Sequence, residues 1–235
     1  ATELYLSPSV GRIAVSSAGT IDSEAKKIVY ATDNLPGMTG FDYGAFFADN
    51  YGLPVSVAND AHAALLGEIN FGAAKSRLSE RVIMITLGSG VGGAYAVNGK
   101  IVADEQNDYA RFGHICLHSD GNACTCGKSG CAETYLSGRA IHRDLANAGL
   151  GDDVFRQYLC GDRAAKRFVD GFKSDFKLLL DKIQIVCPFD ACVVGGGVAD
   201  WMDCAFGPIF GDISEQIVKA ELGNAAGVCG ALTLK

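Results

Sequence analysis

The sequence has no block of Lys or Arg. Its 20 basic residues are spread among 27 acidic ones, for a formal net charge of −7 and a pI near 5.0. Nucleic-acid binding needs a phosphate-neutralising surface, so no such partner is expected. A long uninterrupted apolar run is also missing: the longest stretch, RVIMITLGSGVGGAYAV (81–97), is broken by glycines in its middle. That pattern suits strand, loop and strand, and no membrane partner is expected. The chain begins at Ala1 without Met, and no basic, apolar and small-residue leader stands at its start. No signal peptide is read, and a cytoplasmic location is the expectation. No Gly-Lys-Ser/Thr follows the glycines of GSGVGG, which excludes a Walker loop. A strand rather than a helix is predicted after them, which excludes the dinucleotide fingerprint.

Cysteine is present in an odd number, nine, and its distribution is uneven. Cys160, Cys187, Cys192, Cys204 and Cys229 are scattered in apolar or amphipathic surroundings and are expected to be buried thiols. The others crowd into HICLHSDGNACTCGKSGCAE (114–133). A secreted disulfide scaffold would be shorter and more evenly cysteine-rich, so the crowding points to metal. Cys124, Cys126 and Cys131 form C-x-C-x4-C around Gly127 and Gly130, with His114 ten residues upstream. Three thiolates and one imidazole make a closed tetrahedral set for Zn2+, which would hold structure and not activate water. Cys116 and His118 are spare candidates, and unligated thiols are the plainer alternative. His62 and His142 read as ordinary helix residues.

Strands alternate with helices and no long linker intervenes, which indicates an α/β protein. GRIAVSS (11–17), LPVSVA (53–58), RVIMITL (81–87) and AYAVNGKIV (94–102) read as strands, the last with an Asn98-Gly99 turn. TDNLPGMTG (32–40) is a turn-rich loop. From Tyr135 to about Val186 the pattern is helical, clearest in FVDGFKSDFKLLLDKIQIV. ACVVGGGVADW (191–201) repeats strand, glycine loop and helix, and GNAAGVCGALTLK closes the chain as a buried small-residue helix.

Three stretches admit both a chemical and a plain reading. In VANDAHAALLGE (57–68), Asn59 and Asp60 fall at a strand end, where a catalytic carboxylate would sit, yet either could simply cap the following helix. The glycines of Gly88–Gly93, with the Ser89 hydroxyl, could bring N–H groups to a phosphate or form a hairpin turn. Gly195, Gly196 and Gly197 divide the same way between a nucleotide contact and a tight turn.

Taken together, these motifs resemble the ROK family of sugar kinases and sugar-responsive repressors, from about Gly11 to the C-terminus. The most specific match is Gly113-His114 followed by CTCGKSGCAE (124–133). The resemblance implies an actin/hexokinase-like (ribonuclease H-like) fold of two lobes. Residues 1–58 would be the remainder of an N-terminal lobe, and residues 59–235 the C-terminal lobe, with the last helix packing back on the first lobe. It implies an ATP-dependent kinase acting with Mg2+ on a hexose or N-acetylhexosamine, in a homodimer. Asp60 matches the catalytic base and Asn59 and Gly19 match sugar ligands. His114 would hold structural zinc with Cys124, Cys126 and Cys131 and also face the sugar, and Glu133 would accept from ring hydroxyls. Gly88, Ser89, Gly90 and Gly92 match the second phosphate loop, and Gly195 to Gly197 the adenosine loop.

The sequence departs from the family pattern at two places. The D-x-G-G-T phosphate loop does not occur in these residues. The expectation is that the N-terminal lobe is incomplete and that residues are missing before Ala1; were Ala1 the true start, a sugar-binding module would be favoured. The second departure is E-x-G-H, which becomes Arg111-Phe112-Gly113-His114 after the lead-in ADEQNDYA (103–110). A guanidinium only donates hydrogen bonds where a carboxylate would accept them, so an anionic or unusual sugar is the hypothesis there. The alternatives are a non-catalytic sugar-binding module, either a degenerate kinase or a regulator's sensor domain, and a zinc-stabilised structural protein.

Overall fold

The computed structural model describes residues 10–31, 35–102 and 109–234. Strands β1 (Ile13–Ser17) and β4 (Val55–Asn59) pair in parallel, with Ile13 opposite Val55 and Ser17 opposite Asn59. Between them in sequence lie the antiparallel strands β2 (Thr20–Asp22) and β3 (Lys27–Tyr30), and helix α1 (Tyr43–Tyr51). Asp42 caps the start of α1 by accepting from Ala45 N–H, and Gly52 ends it in the left-handed conformation at φ 63°. Phe47, Val55 and Val57 form the small apolar core of this part.

The larger sheet has the order β7-β6-β5-β8-β9. Its strands are β5 (Arg81–Leu87), β6 (Val91–Val97), β7 (Lys100–Ile101), β8 (Ala191–Gly195) and β9 (Ile217–Lys219). Strand β6 runs antiparallel to β5, while β8 runs parallel to it and β9 parallel to β8. Asn98 and Gly99, both at positive φ (51° and 72°), make the tight turn into β7 that the Asn-Gly pair predicts. The two-residue alternation of β5 divides the core. Val82 and Met84 pack with Leu65 and Ile69 of α2 (Asp60–Phe71), whereas Ile83, Ile85 and Leu87 join the opposite cluster.

That second cluster is covered by the helices that follow. They are α3 (Glu133–Leu136), α4 (Gly138–Ala148), α5 (Val154–Leu159) and α6 (Arg163–Val186), with α7 (Gly197–Trp201) and α8 (Phe206–Phe210) after β8. In α6 the buried residues Ala165, Val169, Phe172, Phe176, Leu179, Leu180 and Ile183 recur at three- and four-residue intervals, and Lys177 pairs with Asp181 on the outer face. Asp162 starts the helix by accepting from Ala164 and Ala165 N–H at 2.8 Å. Truncating fully buried Phe176 to Ala would cost about 3–5 kcal/mol. No helix among the described residues is long and apolar enough to cross a membrane.

The closing helix α9 (Ala226–Ala231) is shorter than its sequence suggests and only partly buried, with Val228 and Leu232 exposed. It packs backbone to backbone on α2. A β-carbon at Gly230 would stand 1.7 Å from Ala63 O, and one at Gly67 2.3 Å from Ala226 O, so each close approach requires glycine. The helix also meets β1, where Gly227 lies against the Ser16 hydroxyl, and Arg12 donates to the carbonyls of Leu232 and Leu234.

The thiol expectation holds only in part. Cys187 and Cys192 are buried, but Cys160 at the end of α5 and Cys204 in the 3-10 turn Asp203–Ala205 are exposed, and Cys229 on α9 is half-buried, because these short elements turn those positions outward. Of TDNLPGMTG, residues 32–34 lie outside the described residues, as do 103–108 of ADEQNDYA.

Candidate active site and metal centre

Strand β4 passes into α2 without a loop, and this junction fixes Asn59 and Asp60. Asn59 takes the cap: its Oδ1 accepts from Ala61 N at 2.9 Å and His62 N at 3.3 Å. Its Nδ2 donates 2.9 Å to the carbonyl of Gly19 on the turn after β1. The amide is buried, and both of its ends are thereby engaged. Gly19 is constrained in turn, since at φ 99° a β-carbon there would stand 2.8 Å from Tyr30 O. Asp60 is the first residue of α2 and keeps its side chain open to solvent. Partial desolvation by the surrounding chain pushes its carboxyl above the ordinary 3.8, against the lowering effect of the Ala61 N–H bonded to it.

The stretch Gly88–Gly93 is not one loop. Strand β6 begins at Val91, three residues earlier than AYAV suggests, so Gly92 and Gly93 pair with Thr86 and Ile85 and only Gly88–Gly90 turn. The glycines in the strand are needed for packing: a β-carbon at Gly93 would strike the Phe112 ring at 2.2 Å, and one at Gly92 would meet Thr86 Oγ1 at 2.5 Å. Gly92 also faces Ala61, whose side chain would stand 3.6 Å from a β-carbon built there, which brings the hairpin beside Asp60. At the turn itself, a β-carbon on Gly90 would stand 2.4 Å from Glu133 Oε2, and the same carboxylate accepts from Val91 N at 3.4 Å.

Glu133 leads back to the cysteines. Its Oε1 is 4.0 Å from Cys124 Sγ, which lies 3.6 Å from His114 Nδ1, and Cys126 Sγ is 3.6 Å from Cys131 Sγ. The four donor atoms of His114, Cys124, Cys126 and Cys131 all lie within 4.8 Å of one another. A tetrahedral zinc with bonds of about 2.3 Å sets its ligands roughly 3.8 Å apart, so the set fits. Gly127 and Gly130, at φ 83° and 72°, let the chain fold back on itself there. The close approach of the thiols affects their ionisation unequally. Burial, followed by hydrogen bonds to Cys126 and Cys124, pushes the Cys131 thiol up to about 12. At Cys126 burial also raises the value, but the Lys128 N–H and the neighbouring thiols outweigh it and leave it lowered. Neither spare candidate joins the cluster: Cys116 is exposed, and His118 Nε2 is 2.7 Å from Asp175 Oδ1, edge-on to Tyr135. Arg111 is exposed at a kink of the 3-10 segment 109–114.

The glycines 195–197 follow β8. Gly196, at φ 92°, presses on the Leu87 carbonyl, where a β-carbon would come within 2.5 Å. This places the turn beside the end of β5 and hence beside Gly88. Nothing stands near a β-carbon built on Gly197, which opens α7. Contacts therefore run unbroken from Gly19 through Asn59, Ala61 and Gly92 to Gly90, Glu133 and the cysteines, with Gly196 adjoining through Leu87.

Two contributors were not singled out from sequence. Glu68, fully buried, accepts from Ala73 N at 2.8 Å, Glu221 N at 3.1 Å and Leu222 N at 2.9 Å, and so ties α2 to the segment before α9. Its signal was a carboxylate just after the apolar run 63–66 of α2. Arg139 Nε donates 2.8 Å to Ser89 O, a contact across fifty residues that no local pattern announces.

The family model "ROK family" matches residues 4–235. The chain is 33% identical over 216 residues to a glucokinase of Streptomyces coelicolor, covering 78% of this chain and 67% of that one. It is 29% identical over 190 residues to an N-acetylmannosamine kinase of Citrobacter koseri, covering 80% and 64%. Among solved structures, a ROK family glucokinase from Streptomyces griseus in complex with glucose and AMPPNP superposes with a TM-score of 0.77 at 30% identity, covering 94% of this chain and 80% of that one. With its family pattern matched over nearly the whole length and its architecture the actin/hexokinase-like one, the chain belongs to the ROK family.

Proposed function

We infer that the protein is a sugar kinase, transferring the γ-phosphoryl group of ATP to a hydroxyl of a hexose or N-acetylhexosamine. The observation that carries this reading is the placement of Asp60. It is a solvent-open, partly desolvated carboxylate at the junction of β4 and α2, beside a glycine hairpin. The kinase relatives of known sugar, and the glucose and AMPPNP complex of one of them, support the reaction class.

In this reading the Asp60 carboxylate takes the proton of the attacking hydroxyl. The hydroxyl oxygen forms the new bond to the γ-phosphorus, the bond to the bridging oxygen breaks, and ADP leaves; magnesium on the phosphates would neutralise part of their charge. Such a transfer needs positioning and charge stabilisation more than covalent help from the protein. The N-terminus of α2 favours the ionised carboxylate, and desolvation raises its proton affinity, which together suit a base. Asn59 and Gly19 hold the adjoining wall, and Glu133 accepts from ring hydroxyls. The Gly88–Gly90 turn and Gly195–Gly197 receive the nucleotide.

His114, Cys124, Cys126 and Cys131 would hold zinc as a closed set, whose contribution is to fix the wall carrying His114 and Glu133. Ligation through Nδ1 leaves His114 Nε2 for a sugar hydroxyl. Residues 1–58 and 59–235 serve as the two lobes, with α9 bridging them, in a cytoplasmic homodimer. The test is ADP release by the full-length protein from ATP with glucose, N-acetylglucosamine and N-acetylmannosamine. Sugar-dependent release supports the kinase, and binding of a sugar with no release from any of them supports the non-catalytic module.

A further inference from the structure

Resting on the kinase reading, the geometry points to Arg139 as a positioning residue for the nucleotide phosphates, acting through the Gly88–Gly90 turn. Helix α4 holds this turn by two consecutive carbonyls. Gly138 N donates to Gly88 O at 2.7 Å, and Arg139 Nε donates to Ser89 O at 2.8 Å. The peptide bonds here are trans, and in a trans peptide the C=O and N–H point to opposite sides. Drawing both carbonyls toward α4 therefore turns the N–H groups of Ser89 and Gly90 away from it, side by side. Two successive N–H groups facing one way make an anion-binding concavity.

These donors are unspent. Among the described residues neither the Ser89 nor the Gly90 N–H donates to a protein atom, and the next one, Val91 N–H, goes to Glu133. A bond from Gly88 N to Gly90 O at 3.0 Å pins the two ends of the turn but not the Ser89–Gly90 peptide between them, and the outward donors are left over. The Gly88 bond comes from backbone, which substitution does not remove. The Ser89 bond depends on one side chain. Without it the Ser89–Gly90 peptide is free to rotate, and the Gly90 N–H loses its direction.

Arginine is also an unfavoured residue for its place. It lies in the first turn of α4, at the positive end of the helix dipole, where a cation does not stabilise the helix. Its exposed side chain makes no ion pair among the described residues, so charge pairing does not account for it.

The test is calorimetric titration of magnesium ADP into the full-length protein and its Arg139→Ala, Arg139→Gln and Arg139→Lys variants. Sugar affinity and melting temperature are measured alongside. Arg139→Ala is expected to weaken ADP binding about tenfold, the loss of one well-placed hydrogen bond. Sugar affinity and melting temperature should stay unchanged. Arg139→Gln, which can still donate to Ser89 O without charge, should recover most of the affinity. The proposal is overturned if Arg139→Ala binds ADP normally, or if sugar affinity and melting temperature fall with it. It is likewise overturned if only Arg139→Lys restores binding, since charge and not the carbonyl clamp would then be responsible. Failure of the wild-type protein to bind ADP would instead reject the nucleotide site itself.

Discussion

The side-chain amide of Asn59 donates 2.9 Å to the carbonyl of Gly19 while its oxygen caps α2, so one buried residue joins the β1 turn to the helix that begins with Asp60. The placement of the proposed base thus depends on a neighbour whose own polar atoms are committed to structure.

Asn59→Ala removes both bonds. The lost cap alone costs about 1 kcal/mol, and an unpaired Gly19 carbonyl adds roughly 1–3 kcal/mol. Urea denaturation should show a lowered midpoint. Asn59→Asp keeps the cap but sets a carboxylate oxygen against the Gly19 carbonyl, so it should recover only part of the loss. Equal midpoints for all three proteins would mean that the junction is held by other contacts.

The raised pKa of Asp60 gives turnover and stability opposite dependences on pH. The base works ionised, so kcat/KM for the sugar should rise with pH through a value above 3.8. For stability, the folded protein holds its proton to higher pH than the unfolded chain does, so Asp60 costs stability as pH rises from 3.8 through its folded value. Asp60→Asn should therefore melt no lower than wild type at pH 7, and the difference should vanish in acid. A lower melting temperature at pH 7 would contradict the desolvated carboxylate.

Metal analysis of the purified protein should find one zinc per chain. Removing it with a chelator should lower the melting temperature and weaken sugar binding together, since His114 and the neighbouring Glu133 share one wall with the cysteines. Cys126→Ser should reproduce both effects. Full sugar affinity in a zinc-free protein would detach the metal from the site.

Glu68→Ala leaves three backbone N–H groups buried without an acceptor. At about 1–3 kcal/mol for each, a loss of roughly 3 kcal/mol or more is expected in urea denaturation. Glu68→Gln keeps a single carbonyl acceptor and should fall between. No change in Glu68→Ala would show that the segment before α9 is held without it.

Local chemistry made much of this legible in the sequence. The continuous apolar run of β5, the three- and four-residue spacing of α6 and the Asn98-Gly99 turn each follow from side-chain type within a few residues. So does the convergence of Cys124, Cys126, Cys131 and His114, which glycines make sterically feasible. Less legible was anything set by distant contact. The true start of β6 depends on Phe112 filling the space above Gly93, and the exposure of Cys160 and Cys204 on how short helices turn. Asp60 and Asn59 were equal candidates for the cap until the Gly19 carbonyl, forty residues away, showed which amide was committed. Arg139 belongs to the same class, because its partner Ser89 is reached only in the fold.

The most direct measurement of the central claim pairs binding with turnover in Asp60→Asn. Sugar affinity by calorimetry and sugar-dependent ADP release are measured on the full-length wild-type protein and on this variant. The account predicts sugar affinity within a few-fold of wild type and a fall in turnover on the order of 10²–10⁴, as loss of a general base produces. Turnover retained in Asp60→Asn would contradict it and move the base to another residue.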